Sequence, residues 1–253
     1  MLAEQRQHYI LDKLSHDGAL SIGDLVKQLQ VSRETVRRDL NVLAVRGLLL
    51  MTHGGALAAG HREADVAARV AENAEAKRLI GLRAAQLVPD GAALIIDSGS
   101  TTLALARALL ERRRLTIHTN DLRIALLLGR HNENRVNLLG GELADNEDAT
   151  FGLDTLHQLS QYHADLAFIG AGGISPQGQL TDYTRGAAEL RGCMIRAANV
   201  AVVLADHTKF GRTTPVRIAH FAQVRYVISE RKPDAKLRKL LLAKGPQLLI
   251  AAA

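Results

Sequence analysis

Between residues 74 and 250, short apolar runs rich in branched side chains alternate with longer amphipathic stretches, and this alternation restricts the chain to a narrow group of folds. It predicts helices over 74–87, 102–110, 122–128, 153–162, 189–198 and 234–243. It predicts strands over 92–97, 115–119, 136–139, 166–170, 200–206, 226–229 and 247–250. Runs without polar alternation belong to strands covered on both faces, so the expected architecture is α/β, a mainly parallel sheet with helices on each side. With 253 residues, 47% of them apolar, the chain is long enough for that domain and a smaller one.

In parallel sheets of this kind, ligands sit at the carboxyl ends of the strands. There the sequence turns to glycine and small hydroxyls. Asp97-Ser98-Gly99-Ser100-Thr101-Thr102 leaves the first strand and opens a helix, a pattern whose backbone N–H groups and helix dipole suit a phosphate. Thr119-Asn120, Gly140-Gly141, Gly170-Ala171-Gly172 and Asp206-His207-Thr208-Lys209 follow later strands, with Lys209 offering a point charge. A plainer reading stands beside this one, because a Gly-Ser-Thr turn also caps a helix and glycines also serve positive φ.

The first 57 residues follow another pattern. Arg6, Ile10 and Leu14 recur every four residues along a helix expected over 4–15, with Tyr9 and Leu11 widening its apolar stripe, and Asp17-Gly18 ends it. Ser21 caps a second helix carrying Leu25, Val26 and Leu29, and Gln30-Val31 makes a tight turn. Ser32 then caps a third helix, Arg33-Glu34-Thr35-Val36-Arg37-Arg38-Asp39-Leu40, in which Val36, Leu40 and Leu43 share the buried face and the arginines point outward. Asp39 is expected to be structural, a partner for Arg38, Arg6 or a backbone donor, since phosphates repel a carboxylate. Arg46 to Leu50 and Met51 to Ala56 read as a strand, a turn and a returning strand, the wing of a winged helix, with His53 at its tip.

This succession closely resembles the helix-turn-helix of the DeoR family of bacterial transcription regulators. The resemblance implies that Ser32, Arg33, Thr35, Arg37, Arg38 and His53 face duplex DNA. Arginine can fork onto guanine or clamp a phosphate, while threonine reaches a phosphate or a thymine methyl. The strand-end loops, above all Asp-Ser-Gly-Ser-Thr-Thr and Asp-His-Thr-Lys-Phe-Gly, resemble the sensor domain of the same family, which shares a Rossmann-like fold with ribose-5-phosphate isomerase and the CoA transferases. By that resemblance a phosphorylated sugar or related metabolite is the effector, held by Asp97, Ser98, Gly99, Ser100, Thr101, Thr102, Thr119, Asn120, Gly140, Gly141, Gly170, Gly172 and Lys209. The implied protein is a repressor of carbohydrate-metabolism genes. Family members commonly carry Glu, then Lys four residues on, before the last motif; the matching positions here are Ala187 and Arg191, with Glu189 displaced by two.

The expected organisation is a DNA-binding domain over 1–57, a linker over 58–73 and an effector domain over 74–253. One short recognition helix buries too little surface for useful specificity, so the chain is expected to act as a dimer or tetramer. A rival reading from another class is a sugar-phosphate isomerase tethered to DNA. Such an enzyme needs a positioned carboxylate with a charged donor nearby; the resemblance implies both around the loop after the fourth strand, where Ala171-Gly172-Gly173-Ile174 has neither, and although Asp97, Asp206 and Glu142 remain as carboxylates that could sit in the pocket, no catalytic residue is assigned.

The formal charge of +6 favours acidic partners only weakly, because basic and acidic side chains nearly balance over the first 57 residues. Arg112-Arg113-Arg114 is read as capping the dipole of the helix it follows. The single cysteine, Cys193, excludes an intrachain disulfide and reads as an apolar filler. His118, His157, His163 and His207 follow no ligand spacing, so neither metal nor cofactor is expected. No leader-like segment or run long enough to span a bilayer is present, so a soluble, cytoplasmic protein without a membrane partner is expected.

Overall fold

Ser21 and Ser32 each turn a hydroxyl onto the first turn of a helix, and these caps punctuate the start of the chain. In the computed structural model, which describes residues 2–17, 19–46, 48–52, 54–58, 66–144 and 147–251, two compact units form, 1–63 and 64–253. The smaller contains α1 (Ala3–Asp17), β1 (Ala19–Ser21), α2 (Ile22–Leu29), α3 (Arg33–Val45), β2 (Leu49–Thr52) and β3 (Gly55–Ala58). Ile10 and Leu14 of α1, Leu25 of α2, and Val36, Leu40 and Leu43 of α3 close its core, with Leu49 and Ala56 from the wing. The wing is a three-stranded antiparallel sheet in the order β1-β3-β2, its third strand supplied by a segment before α2 that carries too few residues to show a period. Tyr9 departs from expectation: it is exposed, because its hydroxyl donates to Gln28 Oε1 at 3.2 Å.

The larger unit opens with α4 (Val66–Ala71) and α5 (Ala74–Ala85). Helix α4 falls within the stretch expected as linker, where buried Val66 and Arg69 tie it to the larger unit. Then follow β4 (Ala93–Ile96), α6 (Ser100–Ala108), β5 (Thr116–Thr119), α7 (Leu122–Leu128), β6 (Arg135–Leu138), β7 (Glu142–Leu143), β8 (Thr150–Phe151), α8 (Leu153–Leu159) and β9 (Ala164–Ile169). The unit ends with β10 (Gly173–Ile174), β11 (Leu180–Asp182), α9 (Arg185–Arg196), β12 (Ala198–Leu204), β13 (Val216–Arg217), β14 (Val224–Ser229), α10 (Ala235–Ala243) and β15 (Gln247–Ile250).

Seven of these strands form one parallel sheet in the order β15-β14-β12-β9-β4-β5-β6. Side chains alternate through it. Leu94 and Ile96 of β4 pack on one face with Ile80, Leu105 and Ile124 from α5, α6 and α7. Ile95 packs on the other with Leu159, Leu190 and Leu237 from α8, α9 and α10. Helices α5 and α6 approach so closely that a Cβ on Gly81 would stand 2.7 Å from the Ala104 carbonyl. Helix α9 begins at Arg185 rather than 189, because Thr184 Oγ1 accepts the Ala187 N–H at 3.2 Å and carries Gly186 into the first turn. Two features too short to show a period are added: the hairpin β7–β8 and the antiparallel sheet β10-β11-β13. Arg112 reaches not the helix it follows but the last carbonyl of α5, at Ala85, 3.2 Å away.

Candidate functional site

The chain winds outward from β4 to β6 and resumes with β9 on the opposite side of β4, so the direction of winding reverses between β4 and β9. A reversal of this kind opens a crevice beyond the carboxyl ends of the two strands. Asp97-Ser98-Gly99 leaves β4 there and Gly170-Ala171-Gly172 leaves β9. Gly99 has a φ of 138°, open to glycine alone, and it turns the chain directly into α6. Among the described residues no side chain caps α6, which leaves the N–H groups of its first turn to an anion.

Neighbouring loops hold this turn in place. Asn120 Oδ1 accepts the Ser98 N–H at 3.1 Å and its Nδ2 donates to the Thr150 carbonyl at 3.0 Å. Asp121 Oδ2 accepts the Gly99 N–H at 3.4 Å, and Thr119 Oγ1 accepts the Asp121 N–H at 3.1 Å. Thr102 Oγ1 donates back to the Gly99 carbonyl at 3.0 Å. Thr119, Asn120 and Thr102 are therefore fully buried supports of the loop, while Ser100 is half-buried at its lip and Thr101 is buried beside it. The glycine pair after β6 is tied to α8: the Gly140 N–H donates to Gln158 Oε1 and its carbonyl accepts from Thr155 Oγ1, while Gly141 takes a φ of 151°. Gly172 is confined by Thr214, Asp182 and Tyr183, each about 3 Å from where a Cβ would stand.

A buried charge cluster underlies the crevice. Asp97 Oδ2 accepts the Gly170 N–H at 2.9 Å and Arg191 Nε at 2.6 Å, and Arg191 Nη1 pairs with Asp182 Oδ2. Burial pushes the Asp97 carboxyl above its ordinary value, against the opposing pull of Arg191 and of the Gly170 N–H. Arg69 of α4 meets Glu147 at 3.0 Å, and the Glu147 charge is felt at Asp97. Lys77 donates to the carbonyls of Arg69 and Glu72, closing the end of α4. Burial pushes its ammonium below the usual lysine range, while Asp206 raises it and the like charge of Lys209 lowers it. Asp206 caps the single turn 207–209 by accepting the Thr208 N–H at 2.9 Å, which presents half-buried Lys209 at the same end of the sheet.

Arg69, Lys77, Glu147 and Asp182 are absent from the sequence-based set. One of the four left a legible trace: Lys77 shares an i, i+3, i+4, i+7 stripe with Ile80, Gly81 and Ala84, just as Arg191, noted in the sequence only for its departure from the family pattern, lies on a stripe with Ala187, Ala188, Leu190 and Ile195. A charged residue on a buried stripe needs a partner, but no local pattern says which.

In the smaller unit Ser32 Oγ accepts the Thr35 N–H at 3.1 Å and lies 2.9 Å from Thr35 Oγ1. Arg33, Arg37 and Arg38 are exposed on α3, and Asp39 points inward to Arg6, 2.6 Å away. Asp39 thus takes Arg6, of the partners considered, and braces α1 against α3. His53 lies outside the described residues. Among the described residues no three His, Cys, Asp or Glu side chains are grouped to hold a metal, and no helix is long and apolar enough to cross a membrane.

A capped helix with outward arginines in a winged unit, joined to an α/β unit with a loop-lined crevice, defines a ligand-responsive transcription regulator. Residues 6–61 match the DeoR-like helix-turn-helix domain and residues 72–231 the DeoR C terminal sensor domain. The chain belongs to the DeoR family. The glycerol-3-phosphate regulon repressor of Escherichia coli strain K12 is 33% identical over 249 residues, 98% of this chain and 99% of the relative. The repressor GlcR of Bacillus subtilis strain 168 is 33% identical over 252 residues, 99% of this chain and 97% of the relative. Among solved structures, a ribose 5-phosphate isomerase of Methanocaldococcus jannaschii is similar over 55% of each chain, at 22% identity and a TM-score of 0.41.

Proposed function

We propose that this protein is a cytoplasmic transcription repressor in which a phosphorylated sugar, or a related phosphorylated metabolite, binds the crevice between β4 and β9 and changes the affinity of α3 for operator DNA. The observation that carries the reading is the Asp97-Ser98-Gly99-Ser100 turn, which delivers an uncapped helix N-terminus to the switch point of the sheet. Lys209 adds positive charge at the same end, and Lys77 lies within electrostatic reach of it. The relatives' names, one of them a glycerol-3-phosphate regulon repressor, point the same way. Ser98 to Thr102 and Lys209 form the phosphate end of this site, with Asn120 and Thr119 as supports. Arg33, Arg37 and Arg38 face DNA, and two or four copies act together. Carbohydrate metabolism is the natural target of such control.

Catalysis is disfavoured by the same geometry. Asp97 is held by Arg191 and the Gly170 N–H, and the loop after β9 carries no acid or lysine that could shuttle a proton between adjacent carbons.

The test uses a duplex selected by the protein from a random pool, with a panel of sugar phosphates. A member of the panel should raise the melting temperature and lower affinity for the duplex, and Lys209→Ala should require a higher concentration while binding the duplex normally without ligand. Turnover of an aldose phosphate to its ketose, with no ligand effect on DNA binding, overturns the reading.

A further inference from the structure

Three buried oxygens near the carboxyl end of β4 have no hydrogen-bond partner among the described residues: Asp97 Oδ1, Ser98 Oγ and Glu147 Oε2. Asp97 and Ser98 are fully buried, and the Glu147 side chain is 7% exposed. The other oxygen of each carboxylate is engaged, Asp97 Oδ2 by Gly170 and Arg191 and Glu147 Oε1 by Arg69. The two carboxylates thus share a pattern, one oxygen held by an arginine and one left bare. They also lie close enough to interact electrostatically, although one follows β4 and the other precedes β8.

A phosphate can accept from the Ser98 hydroxyl but cannot satisfy the two carboxylate oxygens. It brings acceptors, and the bare carboxylate oxygens need donors. Backbone N–H groups at the start of α6 and the Lys209 ammonium suit the phosphate, so the carboxylates belong to another part of the ligand. Hydroxyl groups on its carbon chain can donate to both carboxylates, and a hydroxyl can both donate to and accept from Ser98. A carboxylate on the ligand would instead add a like charge beside Asp97 and Glu147.

We propose that Glu147 and Asp97 read the hydroxyl groups of the effector, so that the sensor selects an uncharged polyhydroxy chain bearing one phosphate and rejects the corresponding phosphorylated acid. The proposal rests on the crevice being a phosphate-ligand site. Asp97 is pinned by Arg191 and forms the constant part of the reader. Glu147, on the loop before β8, is the residue whose replacement changes selectivity with least effect on the crevice wall.

The experiment measures binding to the full-length protein by titration calorimetry. Its probes are glycerol 3-phosphate against 3-phosphoglycerate, glucitol 6-phosphate against 6-phosphogluconate, propyl and hexyl phosphate as hydroxyl-free chains, and inorganic phosphate. At whichever chain length binds, the polyol phosphate should be preferred over both the acid and the alkyl phosphate by about tenfold or more, the scale of one hydrogen bond to a charged group. Glu147→Gln keeps an oxygen for Arg69 and should reduce the preference over the acid to about threefold or less, with inorganic phosphate binding unchanged. Asp148→Asn alters the neighbouring exposed carboxylate and should leave the preference intact, as a control for charge in the loop. Phosphates binding without discrimination, or a preference that survives Glu147→Gln in protein with a normal melting temperature, overturns this inference and leaves the phosphate site standing. Failure of every organic phosphate in the set to bind overturns both.

Discussion

Arg191 Nε stands 2.6 Å from Asp97 Oδ2, joining the middle of α9 to the carboxyl end of β4 across ninety-four positions of sequence. The same guanidinium pairs with Asp182 at the end of β11, so one cation holds two buried carboxylates from two different sheets. The fork geometry of arginine serves both at once, which the point charge of lysine would not. This bears on the departure from the family pattern at Ala187 and Arg191: the carboxylates facing Arg191 come from β4 and β11 and not from its own helix.

Replacing Arg191 with methionine would strand Asp97 and Asp182 without their cation. The expected loss is roughly 3–5 kcal/mol of stability in the larger unit, read by urea denaturation. Adding Asp97→Asn and Asp182→Asn to that variant should recover a large part of the loss, since the penalty comes from uncompensated charge. Full stability in Arg191→Met alone would show that the cluster is not coupled as described.

The DNA contacts proposed for the recognition helix are Arg33, Arg37 and Arg38, all exposed on α3. Arg37→Ala or Arg38→Ala should cost about 1–3 kcal/mol of affinity if the side chain reads a base, or flatten the salt dependence by about one phosphate if it clamps the backbone. Affinity measured against salt concentration separates the two. An Arg37→Ala/Arg38→Ala protein with unchanged affinity and slope would remove α3 from the interface.

Gly81 lies where α5 and α6 touch, and a Cβ there would meet the Ala104 carbonyl at 2.7 Å. Backbone cannot give way as a flexible side chain can. Gly81→Ala should therefore destabilise the larger unit by about 1–3 kcal/mol despite the better helix propensity of alanine. A neutral or raised melting temperature would mean that the helices separate at little cost.

His118 on β5 is buried, with its ring centroid 3.9 Å from that of Tyr162. Burial lowers its pKa in the native state, so the unfolded chain binds the proton more readily. Stability should be unaffected by this group above the ordinary histidine value of about 6.5, fall as pH drops below it, and level off once native His118 is also protonated. His118→Phe keeps a ring against Tyr162 and should remove that part of the acid sensitivity. Parallel stability profiles for the two proteins between pH 7 and 5 would contradict this assignment.

Much of this protein was legible in the amino-acid order because the relevant forces act locally. Ser32, Val36, Leu40 and Leu43 encode a capped helix with one buried face over a dozen residues, and alternating apolar runs specify parallel strands and covering helices. The turn at Gly99 was legible too, since a glycine between a strand and a helix announces an unusual φ. What the sequence could not settle is which distant groups meet. The burial of Arg69, Lys77, Asp182 and Arg191, the bare oxygens of Asp97 and Glu147, and the choice of Arg6 for Asp39 follow from strand order and helix placement. Charge pairing carries no sequence period, so only tertiary structure decides it.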